Sequence, residues 1–203
     1  YSRADDEYAQ SWTLSYVPGK RMIDVPVYVL ISGGTGSAAE EFAYDVQQLK
    51  RATLVGQTTA GAGHTVSMIT LEDGFSVLVP SGKPINPVSG TGWQEVGVKP
   101  DIEAPVEDAL YVAHVRALET LVERTTDDPN LHAFYEWELE LVKAERNPFP
   151  IADLSIYEGH YGDRQIALDG ATLVAHSPFG NQPMLPLNEN TFAIGDEIRA
   201  TFN

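Results

Sequence analysis

Ser37 stands where chemistry is easiest to build. It follows the small-residue run Ser32-Gly33-Gly34-Thr35-Gly36 and precedes Ala38-Ala39-Glu40. A serine at the first turn of a helix, entered through a tight glycine loop, is how a fold presents a nucleophile. The free N–H groups and the positive end of the helix dipole lie where an oxyanion would form. The Ala38 N–H is one natural donor, with Gly33 and Gly34 as weaker local candidates. The same four residues, Ser37-Ala38-Ala39-Glu40, also spell an S-x-x-E capping box, in which the serine only satisfies backbone donors. Residue types alone leave both roles open.

A serine hydroxyl attacks only when a base takes its proton. No lysine or arginine lies between Arg51 and Lys83. His64 is the histidine nearest the second small-residue loop, Gln57 to Gly63, and a loop or structural role competes with a role as base. His114, His132, His160 and His176 fall in a helix, near a helix start, or in the C-terminal segment, where surface and structural roles are expected. No histidine pair has HExxH-like spacing, so no metal site and no cofactor is expected.

Three elements must position Ser37. Val27-Tyr28-Val29-Leu30-Ile31 is apolar and rich in β-branched residues, so it reads as a buried strand. From Ser37 a helix begins, with Ala38, Ala39, Phe42, Ala43, Val46 and Leu49 giving an apolar side. Ala52-Thr53-Leu54-Val55-Gly56 is a second strand. Strand, helix and strand in about thirty residues make a βαβ unit with parallel strands.

A β-rich section follows. Thr65–Leu71 and Phe75–Pro80 read as a hairpin around Asp73-Gly74. Val96 to Asp101 closes the section. Helices are expected from Val106 to Glu123 and from Pro129 to about Glu145, the second capped by Asp127 or Asp128. Upstream, Trp12 to Val17 is a possible strand. Beyond Asp153, short strand candidates (Leu154–Tyr161, Arg164–Leu168, Ala171–His176, Pro183–Leu187 and Thr191–Ile194) alternate with turn signals. That texture predicts an antiparallel meander or small barrel.

Composition narrows the class. The chain has 203 residues, 43% of them hydrophobic, enough for one ordinary domain and a small appendage. There is no cysteine, so neither disulfides nor thiolate chemistry are available. With 29 acidic against 13 basic residues the net charge is −16, which repels nucleic acid and anionic lipid. No apolar run reaches the length of a membrane span. The chain begins at Tyr1 rather than Met and is expected to be a piece of a longer protein.

Two stretches carry a resemblance to a known family. SGGTGSAAEEFAYDVQQLKRATLVGQTTAGAG and DGFSVLVPSGKPINPVSGTGWQEVGVKPDIEAPVEDAL resemble the tail-specific, or C-terminal-processing, serine peptidases. The bacterial branch that is also similar to interphotoreceptor retinoid-binding protein fits best, and the likeness covers roughly Tyr1 to Leu121. It implies an α/β fold with a ClpP/crotonase-like core of ββα units. It also implies that Ser37, ahead of Ala-x-Glu at the helix start, is the nucleophile of peptide-bond hydrolysis through an acyl-enzyme.

Departures from the family pattern matter as much. The dyad lysine of the C-terminal-processing peptidases falls at Ala62 here, so a Ser–Lys dyad is not expected. Related peptidases use a histidine from the N-terminal half, supported by a serine and a glutamate, and that half is not in this chain. The family often reads Trp-Glu-x-Val-Gly-Val-x-Pro-Asp. Here Trp93 is followed by Gln94, with Glu95 one place later, so Glu95 substitutes or the role is lost. Gln57 similarly stands where glutamate is usual.

The resulting expectation is the C-terminal part of a peptidase catalytic domain over 1–149, including two following helices, and a small antiparallel β domain over 150–203. The isolated piece is expected to be inactive, with the second oxyanion donor and the base coming from elsewhere. Peptide or unfolded protein is the expected substrate, nucleic acid and a transmembrane segment are not expected, and the resemblance implies a periplasmic or secreted setting. The rival reading is a non-catalytic binding module for apolar ligands or peptides on the same fold. A third is an interaction fragment with the β meander as its adhesive part.

Overall fold

The computed structural model describes residues 1–10, 12 and 14–202. It is a mixed α/β chain that divides into two compact units, Tyr1–His114 and Val115–Asn203.

In the first unit, β1 (Tyr28–Ile31) leads into α1 (Ala38–Gln48) and β2 (Thr53–Gly56). β1 and β2 run parallel, pairing Tyr28 with Thr53 through Ile31 with Gly56. β3 (Thr65–Thr70) and β4 (Ser76–Gly82) form a separate hairpin, joined by a single 3₁₀ turn over Glu72–Gly74 with Asp73 at φ 59°. The two-residue β5 (Ile102–Glu103) then adds to β2 in parallel, giving the order β1-β2-β5. Asp101 fixes that addition. One carboxylate oxygen accepts the Leu54 N–H at 2.7 Å, and the other accepts the Gln47 side-chain amide at 2.9 Å.

The core under α1 gathers Ile31, Ala43, Leu54, Trp93 and Val98. A second cluster joins Val55 to Ala104, Ala109 and Ala113. Gly56 is at φ 132°, and a Cβ there would meet the Ile31 carbonyl oxygen at 2.0 Å, so no other residue lets β1 and β2 come this close.

The expected apolar side of α1 is corrected. Glu40 and Ala43 are the buried residues, whereas Ala38, Ala39, Phe42 and Leu49 are exposed. The helix is rotated so that its carboxylate, and not its bulkiest apolar side chains, meets the neighbouring loop. The possible strand from Trp12 to Val17 includes Thr13, outside the described residues; Trp12 and residues 14–17 are not in a strand. Closure of the β section falls at Ile102–Glu103 rather than at Val96 to Asp101. Gly97, at φ 69°, turns the chain beneath the Thr59 carbonyl, and Pro100 offers no N–H for pairing.

Along the chain, α2 (Ala109–Arg124) and then α3 (Pro129–Arg146) precede the six strands of the second unit. α2 begins in the first unit and ends in the second. It starts at Ala109, later than the expected Val106, because the Asp108 N–H turns back to the Pro105 carbonyl and the Asp108 carbonyl takes the first helical bond, from Val112. Asp128 caps α3, accepting the N–H groups of Asn130 and Leu131, with Pro129 at the first helical position.

The strands are β6 (Gly159–Tyr161), β7 (Arg164–Asp169), β8 (Thr172–Ser177), β9 (Gly180–Pro186), β10 (Thr191–Ile194) and β11 (Ile198–Thr201). Their order in the sheet follows the sequence, and each consecutive pair is antiparallel. This is the meander of the two expected forms. The expected strand at Leu154–Tyr161 is a 3₁₀ turn, Ser155–Tyr157, followed by the shorter β6. β11 was not among the expected strands. Tyr157, Ile166, Leu173, Met184, Phe192 and Ile194 form the centre of this core.

Candidate active site

The loop after β1 is locked internally and to its neighbour. Thr35 N–H donates to the Ser32 carbonyl at 2.9 Å, and the Thr35 hydroxyl accepts the Ser32 N–H at 3.1 Å. The Thr35 carbonyl in turn accepts the Ala60 N–H at 2.9 Å, tying this loop to the one after β2.

Ser37 is exposed and has φ 56° and ψ −124°. Residues with a side chain rarely adopt that backbone, which costs on the order of 1–3 kcal/mol unless the surroundings impose it. Its Oγ lies within capping-box reach of the Glu40 N–H. The box closes from both sides, the Ser37 side chain facing the Glu40 N–H and the Glu40 carboxylate holding the Ser37 N–H, while the Glu40 N–H also donates to the Ser37 carbonyl at 2.9 Å. The next N–H, that of Ala38, is at the first helical position, where the helix supplies no acceptor of its own.

Glu40 imposes the conformation. Its side chain is fully buried. Oε2 accepts the Ser37 N–H at 2.9 Å and the Ala62 N–H at 2.8 Å. Oε1 accepts the Gly61 N–H at 2.6 Å and the Thr59 hydroxyl at 2.5 Å. Four donors converge on one carboxylate. Burial pushes its pKa up. The Thr59 hydroxyl and the N–H groups of Gly61, Ala62 and Ser37 outweigh that and hold it below the usual carboxylate range. Glu40 is therefore charged at neutral pH and serves as the joint between the Ser37 turn and the 59–62 loop.

Thr59 extends the joint. Its hydroxyl accepts the Val98 N–H at 2.7 Å, and its N–H donates to the Val98 carbonyl at 3.1 Å. Gln94 braces the far end of the loop: its Oε1 accepts the N–H groups of Gly63 and His64 at 2.7 and 2.8 Å. Glu95 is held by its backbone, N–H to the Gly61 carbonyl at 2.8 Å, with φ 68° and an exposed side chain. Ser37, Ala38 and the Glu95 backbone are thus attached to one framework through Glu40 and Gly61.

Sequence reasoning weighed Glu40 only as the partner in a capping box and did not single out Thr59. The available signal was register. Glu40 is three residues before Ala43 and four before Tyr44, so it falls in the stripe that enters the core. Among the described residues there is no group of three or more histidine, aspartate or glutamate side chains able to hold a metal ion.

Residues 1–104 match the family model of peptidase family S41, and the chain belongs to that family. Its named relatives are C-terminal-processing proteases. Over 90 residues it is 37% identical to the carboxyl-terminal-processing protease of Synechocystis sp., covering 43% of this chain and 21% of that protein. Over 101 residues it is 29% identical to the carboxy-terminal processing protease CtpA of Bacillus subtilis, covering 50% of this chain and 22% of the relative. Among solved structures, a photosystem II D1 C-terminal processing protease shows 32% identity, a TM-score of 0.37, and coverage of 40% of this chain and 21% of that one. The chain thus spans about a fifth of the length of these relatives. No described helix is long and apolar enough to cross a membrane.

Proposed function

We propose that this chain carries the nucleophile half of a serine peptidase, in which Ser37 attacks a peptide carbonyl and forms an acyl-enzyme. The observation that carries the reading is the exposed Ser37 with its backbone at φ 56° and ψ −124°, fixed through its own N–H by Glu40. A strained, externally braced serine at a helix start is the arrangement of a nucleophile turn, in which the following N–H faces the developing oxyanion. Ala38 N–H is that donor. Glu40 acts as a positioning residue, and the exposed Glu95 is available to orient a partner group. The general base, with the second oxyanion donor, comes from the part of the protein outside these 203 residues. The core around Ser37 belongs to a crotonase-like ββα arrangement, with residues 1–149 in the catalytic domain and 150–203 as an accessory β domain. Peptides or unfolded proteins are the substrate class, in a periplasmic or secreted setting.

Fluorophosphonate labelling of the full-length protein tests this directly. Covalent label at Ser37, abolished in Ser37→Ala, is the expected outcome. A folded, unlabelled wild-type protein would sink the assignment.

Gln94 favours a second reading. A neutral amide braces the 61–64 loop where the family commonly places glutamate, and residues 52–82 contain no lysine. Both features suit a binding module for apolar ligands or peptides that has kept the fold and lost the chemistry. The same labelling experiment separates the two.

A further inference from the structure

The β meander contains a cavity that the peptidase reading does not use. β6 and β11 are the opposite edges of the six-stranded sheet. The sheet curls enough for Tyr161 on β6 to pack edge-on against Phe202, just past β11, at 5.2 Å. Phe202 also touches Tyr157 at 4.9 Å and Phe192 at 5.5 Å. Between the edges lies a cavity of about 490 Å³, walled by Tyr157, Tyr161, Ile166, Ile194, Ala200 and Phe202. Sites for small ligands commonly fall between roughly 300 and 1,000 Å³, with apolar walls and few polar groups.

The charge in this cavity runs against the rest of the chain. The protein carries −16, yet among the described residues no acid lines the cavity, and the charged one that does is Arg164. Elsewhere in this unit cations are matched: Arg116 and Lys143 with Glu119, Arg199 with Glu140. Arg164 is half-buried and has no carboxylate partner among the described residues. A guanidinium against apolar and aromatic walls is a receptor for one planar anion, which it can grip with two parallel N–H donors. A carboxylate matches its single charge, whereas a phosphate monoester carries nearly two.

We propose that this cavity binds an apolar body ending in a single carboxylate, seated on the aromatic walls with its carboxylate on Arg164. The chemistry has two natural sources, a free alkyl carboxylate and the C-terminus of an apolar peptide. Neither involves Ser37.

Calorimetric titration of the 203-residue chain tests it with four probes: octanoate, octan-1-ol, an N-acetyl tripeptide ending in leucine with a free carboxyl, and its C-terminal amide. The charged member of at least one pair should bind at least tenfold more tightly than its neutral partner. Arg164→Gln should erase that difference. Ala200→Phe, which fills the cavity and leaves Arg164 in place, should weaken binding at least tenfold. Preference for octanoate identifies a free carboxylate as the ligand, and preference for the tripeptide acid identifies a peptide end. A folded wild-type chain that binds none of the probes overturns the proposal, as does charged-probe binding unchanged in Arg164→Gln. If Arg164→Gln fails to fold, unchanged binding by Ala200→Phe overturns it alone.

Discussion

The Glu40 carboxylate accepts the Ser37 N–H at 2.9 Å while its other oxygen takes the Thr59 hydroxyl and the Gly61 N–H. One side chain therefore sets two things together: the backbone angle at the serine and the position of the loop beside it. Replacing it by glutamine keeps the size but turns one acceptor into a donor facing donors. We expect Glu40→Gln to destabilise the chain by about 3 kcal/mol, since a buried donor left without its charged acceptor costs on the order of 1–3 kcal/mol. Thermal melting compared with Thr59→Val, which removes one of the four bonds, checks the ranking. Equal melting of wild type and Glu40→Gln would refute the joint.

The same carboxylate makes stability depend on pH. Its folded pKa lies below the usual range, so between the folded value and the unfolded value of about 4.3 the unfolded chain binds more protons. Its contribution is complete above that unfolded value and is lost as the pH falls through the folded one. Asp153, held down by the Ser155 hydroxyl and then the Ser155 N–H, acts in the same direction from an exposed position. Urea melts at pH 6, 4 and 3 should show wild type losing more stability than Glu40→Gln, with part of the slope surviving in the variant.

Ser37 offers a test that needs no substrate. Its side chain completes the capping box, so Ser37→Ala should lower stability by roughly 1 kcal/mol. Ser37→Gly should melt higher by about 1 kcal/mol, because glycine accepts the positive φ without strain.

The isolated 203-residue chain should not turn over an unfolded protein substrate. A nucleophile without its base commonly loses on the order of a million-fold in rate. Ser37-dependent cleavage by this piece alone, measured against Ser37→Ala, would contradict that and would bring His64 into the mechanism.

Much of the βαβ unit was legible because its signals are local. The Tyr28–Ile31 run is apolar and β-branched, the glycine loop breaks it, and Ser37 to Glu40 announces a helix start. The hairpin and the meander were likewise written in turn residues such as Asp169-Gly170. The rotation of α1 was not legible. Phe42 and Leu49 look like core by hydrophobicity, but four donors on Glu40 outcompete them, and three of those donors come from residues about twenty positions away. β11 was missed because Ile198–Thr201 alternates weakly around Arg199, whose side chain pairs with Glu140 on α3. Glu40 hid behind a familiar local motif that explained it too cheaply.

The β3–β4 hairpin has a consequence for handling the protein. Met68, Val66 and Ile69 are exposed on one strand and Leu78 and Val77 on the other, so both faces of a two-stranded ribbon are greasy. At neutral pH the −16 charge keeps copies apart. As acid removes that repulsion, ribbons from different molecules can stack and pair by their edges. Turbidity on acidification should therefore rise with protein concentration and fall when Met68 and Leu78 are replaced by lysine, a colloidal response distinct from the unimolecular opening of the Glu40 joint.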